Sequence, residues 1–292
     1  MAVQIDMPAI PSGQVGSKIE CPIVVIIVLA FGNRYSGSIL SKVDIGINNL
    51  ISMTYCLGIK VKDGLIGIAD TRISAGTSTT IKKKVLVMQQ KDASLFIMTS
   101  GLRSVRDKAV HYFQELISNG IEYDKMYKAV NAFGEQIKRV AIEDGEALAN
   151  AGYKMNLNAI VGGQLKNDEE HKLFLLYTEG NWVELDEGSP FAIIGNSGQG
   201  KAILNRIIKA DTGMRQALKA GYLSFDSVRI SSNDVEFPID IVTYERNSFQ
   251  ITENRYQQHE LQHVSTDWND KLKHYLDEIP GEWMEKMFPN NS

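Results

Sequence analysis

The chain has 292 residues, 43% of them apolar, and a formal net charge of −4, the balance of an ordinary globular protein with one large domain or two small ones. So mild a charge gives no electrostatic basis for binding nucleic acid or an anionic membrane. The two cysteines, Cys21 and Cys56, stand far apart in different contexts, so they imply neither a disulfide framework nor a metal motif, and a reducing cytoplasm is the expected home.

Residues 1–52 read differently from the rest. Pro22 to Phe31 (PIVVIIVLAF) is an apolar run of about ten residues, too short to span a bilayer. Asp6, Lys18 and Glu20 make the stretch before it a poor n-region for a secretory signal. A propeptide and an added strand are two further readings. The expected one is an upstream extension translated from a misassigned start, because a product beginning at Met53 would open a well-formed domain.

From Thr54 the pattern is regular. Thr54–Val61 alternates and is rich in strand formers, Asp63-Gly64 signals a hairpin turn, and Leu65–Asp70 is the return strand. Val85–Gln89 and Leu95–Thr99 form a second hairpin. Ser100-Gly101 is expected to open a helix with Val105, Ala109, Val110, Phe113, Leu116 and Ile117 on its apolar face, ending at Gly120. A second helix is predicted from about Tyr123 to Asn150, with Gly145 weakening its last turns. Strands follow at Leu157–Leu165, Lys172–Thr178, Trp182–Leu185 and Phe191–Gly195, then helices at about Gly200–Ala210 and Met214–Val228. Strands Ile239–Glu245 and Phe249–Thr252 come next, and the tail from Asp267 carries a helix and a short turn around Trp283. This order predicts an α+β fold: a four-layer α-β-β-α sandwich of two antiparallel sheets flanked by helices. The domains read as an extension over 1–52, a core domain over 53–252 and a C-terminal helical extension over 253–292.

The chemistry-bearing residues cluster early: Met53-Thr54-Tyr55-Cys56, then Asp70-Thr71-Arg72, then Lys82-Lys83-Lys84. A threonine hydroxyl is a weak nucleophile unless something takes its proton, and one solution is an N-terminal threonine whose own α-amine is the base. Methionine before a small residue is removable by a processing aminopeptidase. Asp and Lys on neighbouring strands can then hold the site.

The motifs MTYCLGIKVKDGL, IADTRISAG, IIGNSGQGKAILNRI and SFDSVRISSNDVEFPIDIVTYERNSF, in this order and spacing, resemble those of proteasome-type β subunits, which are N-terminal-nucleophile hydrolases. More narrowly the chain resembles the bacterial proteasome-related Anbu family, and its tail with Trp268 and Trp283 is similar to that family's C-terminal extension. The resemblance covers residues 53–290. It implies Thr54 as nucleophile, Asp70 as the acidic partner of the catalytic lysine, and Lys84 as that lysine, with Lys82 and Lys83 as neighbouring registers. It also implies the Gly101 N–H as oxyanion donor, with Ser100 its near alternative, Ser197 as the serine bonding the α-amine, and Asp226 and Ser231 as an Asp/Ser pair beyond it. A peptide or protein substrate and a homo-oligomer, ring or open spiral, follow from the resemblance; it implies no cofactor and leaves an ATPase partner open. Two departures stand out: fifty-two residues precede Met53, and the loop Asn196-Ser197-Gly198-Gln199 differs from the family's usual Glu–Ser/Thr–Lys–Tyr character.

The sequence offers three other readings. Gly195 to Ala202 nearly spells a phosphate-binding loop, but Ala202 replaces the Ser/Thr that would hold magnesium, and antiparallel hairpins precede it. His259 and His263 can share a helix face but have no third ligand. A catalytically silent subunit that only assembles is the alternative to an enzyme, because an internal Thr54 carries an amide nitrogen that cannot accept a proton.

Overall fold

The computed structural model describes residues 54–75 and 78–288; residues 1–53, with the apolar run Pro22–Phe31, lie outside the described residues. Strand β1 (Tyr55–Val61) turns into β2 (Gly64–Asp70), the hairpin expected from Asp63-Gly64. Every residue of β2 is buried, because it is a middle strand covered on both faces; its apolar run Leu65, Ile66, Ile68, Ala69 reflects that. A short hairpin, β3 (Arg72–Ala75) and β4 (Ser78–Ile81), follows. It had no counterpart in the sequence pattern, since its Ser/Thr-rich residues show no apolar alternation.

Strands β5 (Val85–Gln90) and β6 (Ala93–Gly101) lead into helices α1 (Arg103–Ser118) and α2 (Met126–Asn150). The expected helix start at Ser100-Gly101 is corrected: β6 runs through both, held by pairing of Ser100 with Asn158 and Gly101 with Leu157. Helix α2 passes Gly145 without a break. Strands β7 (Leu157–Gln164), β8 (Lys172–Leu176) and β9 (Trp182–Glu184) complete an antiparallel sheet ordered β5-β6-β7-β8-β9. Strand β10 (Phe191–Gly195) returns to the first sheet beside β1. Helices α3 (Lys201–Ile207) and α4 (Met214–Ser231) precede β11 (Ile239–Glu245) and β12 (Ile251–Tyr256), giving the order β10-β1-β2-β11-β12. The last strand starts later than expected because Asn247 and Phe249 adopt left-handed backbone, φ 60° and 51°, which turns the chain before it can extend. Helix α5 (Gln258–Asp277) starts nine residues ahead of Asp267. A capping box of Gln257 and Glu260 opens it, and Leu261 and Val264 pack on the core.

Three apolar layers hold the sandwich. Val105, Phe113, Phe133 and Ile137 of α1 and α2 pack on one face of the second sheet. Leu204, Ala217, Phe225 and Val228 of α3 and α4 pack on Leu57, Ile59, Ile66 and Ile68 of the first. Between the sheets lie Cys56, Leu65, Phe96, Met98, Ile160, Leu173 and Val242. The sheets approach closely where side chains are missing: a Cβ on Gly58 would lie 2.7 Å from Ile160 Cγ2 and 3.3 Å from a Leu173 methyl. Gly58→Val overfills this gap and is expected to lower the free energy of unfolding by about 1–3 kcal/mol. A urea titration with an unchanged midpoint would contradict the close approach of the two sheets.

Candidate active site

The site forms where three chain segments end or begin. Thr54 precedes β1, Asp70 closes β2, and Lys84 immediately precedes β5 of the other sheet, so side chains from both sheets meet at one end of the sandwich. The Thr54 hydroxyl donates to Asp70 Oδ1 at 2.6 Å. The Tyr55 N–H donates to the same oxygen at 2.8 Å, and the Lys84 ammonium at 2.6 Å. Lys84 Nζ also donates to Thr54 Oγ1. Thr54, Asp70 and Lys84 are 1%, 0% and 5% exposed, so these charges interact with little water to screen them.

Burial separates the three lysines. Lys82 and Lys83 are exposed, and Lys83 Nζ pairs with Glu253 at 2.6 Å on the surface, whereas Lys84 turns inward. Burial pushes the Asp70 carboxyl above the ordinary carboxylate range, while the Lys84 ammonium and the bonds from Thr54 and Tyr55 pull it down. Asp70 Oδ2 is buried with no hydrogen-bond partner among the described residues. An unmet acceptor of this kind costs about 1–3 kcal/mol. Cys56 faces the inter-sheet core with Sγ 3.7 Å from the Thr99 carbonyl; burial pushes its thiol up to about 12, so it is a packed neutral thiol.

The other predicted positions fall in two groups. Gly101 ends β6 with φ 136°, and a Cβ there would sit 2.1 Å from the Asn156 carbonyl oxygen, so only glycine fits. Ser100, its near alternative, is a buried β6 residue. Ser197 is half-buried in the loop after β10. That loop is tied to the nucleophile candidate: the Asn196 N–H donates to the Thr54 carbonyl at 2.7 Å, and Gly195 (φ 86°) packs against the same carbonyl. Asp226 and Ser231, by contrast, make no hydrogen bond with this cluster among the described residues. Asp226 accepts from Arg229 at 2.8 Å, and the Ser231 hydroxyl turns back onto the Ser227 carbonyl of its own helix at 2.8 Å.

Two contributors were missed by sequence reading. One is the Tyr55 N–H, since a backbone donor leaves no residue-type signature. The other is Ser224, which accepts from Tyr55 Oη at 2.7 Å and donates to the Gly200 carbonyl at 2.8 Å, linking β1 to the loop that carries Ser197. Its signal was available: a serine at helical spacing among Ala217, Gly221 and Val228 on the buried face of α4. The near-match to a phosphate loop lies on an edge strand of an antiparallel sheet, ahead of a seven-residue helix. His259 and His263 are both exposed on α5.

No family model matches the chain. It is 30% identical over 155 residues to proteasome subunit beta 1 of Saccharolobus islandicus, spanning 50% of this chain and 67% of that one. The fold superposes on the Anbu (Gly-1) mutant from Hyphomicrobium sp. strain MC1 with TM-score 0.72 and 31% identity, covering 78% of this chain and 98% of that one. The chain belongs to the proteasome β-subunit family, in its Anbu branch. The Anbu complex of Pseudomonas aeruginosa, solved as a helical assembly, is similar at TM-score 0.73 and 26% identity, over 78% of this chain and 97% of that one. Among the described residues of this Anbu-branch chain, no helix is long and apolar enough to cross a membrane.

The buried pair yields a signed prediction. Because burial raises Asp70 above its unfolded carboxyl value, the native chain holds a proton there between the two values, and stability falls as pH rises through that interval. Lys84→Met removes the opposing charge and extends the interval upward. The variant is expected to be about 3–5 kcal/mol less stable than the parent at about pH 8 and to regain part of that loss at about pH 5. Equal losses in urea unfolding at both pH values would contradict a buried, ionised Asp70–Lys84 pair.

Proposed function

We propose that this chain is a threonine-type peptidase or amidohydrolase subunit that works in a self-assembled oligomer, with Thr54 as its nucleophile once the residues ahead of it are removed. The observation that carries this reading is the Thr54 hydroxyl bonded to both Asp70 and Lys84 in one buried cluster. Family membership and the helical assembly of the Pseudomonas aeruginosa neighbour support the self-assembling part.

The proposed chemistry follows from the residue types. A free Thr54 α-amine has a reference pKa of about 7.7–8.0, close enough to working pH to act as general base. It takes the hydroxyl proton, directly or through a water, as Oγ1 attacks the substrate carbonyl. The Lys84 ammonium, bonded to Oγ1, stabilises negative charge as it develops there. Asp70 holds that ammonium in place. The Gly101 N–H receives the oxyanion of the tetrahedral intermediate, and Ser197, on the loop tied to the Thr54 carbonyl, bonds the α-amine. Collapse expels the leaving group, protonated by the α-ammonium, and leaves a threonyl ester that water hydrolyses. With residue 53 still attached, the Thr54 nitrogen is an amide and the first proton transfer cannot occur.

The second reading is a catalytically silent assembly subunit, which the same fold and oligomeric neighbour would serve. Hydrolysis of short peptide amides and esters by chain beginning at Thr54 separates the two. Thr54→Ala is expected to lose at least about a thousandfold in kcat/KM, with Thr54→Ser retaining measurable turnover. Equal rates for parent and Thr54→Ala would select the scaffold.

A further inference from the structure

Lys84 lies in a stretch, Lys82–Lys84, that belongs to no strand. The Lys82 N–H donates to the Thr71 carbonyl at 2.8 Å, anchoring its start. The Lys83 carbonyl, one peptide before Lys84, meets no backbone N–H among the described residues. Its donor comes from α1 instead: Arg106 Nη2, at 2.7 Å. The same guanidinium donates through Nε to Thr99 Oγ1 at 3.1 Å. Thr99 is a buried residue of β6, two positions before Gly101. Nη1 faces Asp107 at 3.0 Å, and the Arg106 side chain is 19% exposed.

One rigid fork therefore joins the backbone that carries Lys84 to the strand that ends in Gly101. A lysine in its place carries its donors on one flexible ammonium and lacks the planar fork that spans the two acceptors in a fixed relation. Displacing a reacting or stabilising group by about 1 Å can cost about a hundredfold in rate, so a clamp between the ammonium and the oxyanion donor has kinetic consequences. The bland alternative is that Arg106 only docks the first turns of α1.

We propose that Arg106 is a positioning residue: it fixes the Lys84 ammonium against Asp70 and Thr54, and in register with Gly101, by bridging the Lys83 carbonyl and the Thr99 hydroxyl. This rests on the hydrolase reading of Thr54. Arg106 touches neither substrate nor the Thr54 hydroxyl; it acts through Lys84 and Gly101.

The test combines kinetics with crystal structures of Arg106→Met, Arg106→Lys and Asp107→Asn, each beginning at Thr54. Arg106→Met is expected to lower kcat by about 10–100-fold with KM within about twofold, and to show Lys84 Nζ displaced from Asp70 by about 1 Å or more. Arg106→Lys, which keeps the charge, is expected to remain at least about tenfold impaired. Asp107→Asn, which spares both bridging bonds, is expected to stay within about twofold of the parent. A lower Tm for Arg106→Met with unchanged kcat would assign the residue to helix docking and overturn the proposal. So would an unmoved Lys84. If the parent itself shows no Thr54-dependent turnover, the hydrolase reading has failed, and the position of Lys84 in the Arg106→Met structure still decides whether Arg106 positions it.

Discussion

One oxygen organises this end of the molecule. Asp70 Oδ1 receives the Thr54 hydroxyl, the Tyr55 N–H and the Lys84 ammonium, all within 2.8 Å. A carboxylate with no exposure is expensive to desolvate, and only an opposite charge with directed hydrogen bonds makes it tolerable. The arrangement is not the one that stability alone selects. Asp70 Oδ2 is left without a partner, and an apolar trio of similar volume would avoid the cost altogether. Tension of this sort between local stability and polar placement is characteristic of functional sites.

The rest of the fold serves to bring those three side chains together. The β1–β2 hairpin sets Thr54 and Asp70 at the same end of one sheet, because antiparallel pairing places the start of one strand beside the end of the next. The ammonium arrives from the opposite sheet, so the sheets must pack at a fixed spacing, which the apolar layer between them and the bare glycine at 58 maintain. Beyond the sheets, α4 steadies β1 through Tyr55 and Ser224, and α1 reaches the Lys84 segment through Arg106. Each layer of the sandwich thus contributes a contact to the site or to a residue beside it.

The architecture was legible because its signals are local. Asp63-Gly64 between two apolar runs gives a hairpin, and the stripes of α1 and α2 give helices. Failures occurred where local signal and tertiary pairing diverge. Ser100-Gly101 looks like a helix opening but is held extended by β7. The β3–β4 hairpin is too polar to show a pattern, and the early start of α5 lay in a Gln/Glu capping box within a polar segment. At the site, Thr54 and Asp70 were legible from motif order. The lysine was not legible to the residue, because three identical side chains differ only in the burial that the fold imposes. Asp226 and Ser231 carried motif resemblance but form their bonds with residues of their own helix. Arg106 left no trace in sequence, since its partners are a backbone carbonyl outside any strand, which carries no residue-type signal, and a threonine of β6.

Everything proposed for Thr54 depends on its nitrogen being an amine. The intact mass of the protein purified from its own cells tests this most directly. The account predicts a mass that begins at Thr54, with the base of the reaction free. A mass that retains any residue ahead of Thr54 would contradict it, leaving the Thr54 nitrogen an amide that cannot act as the base.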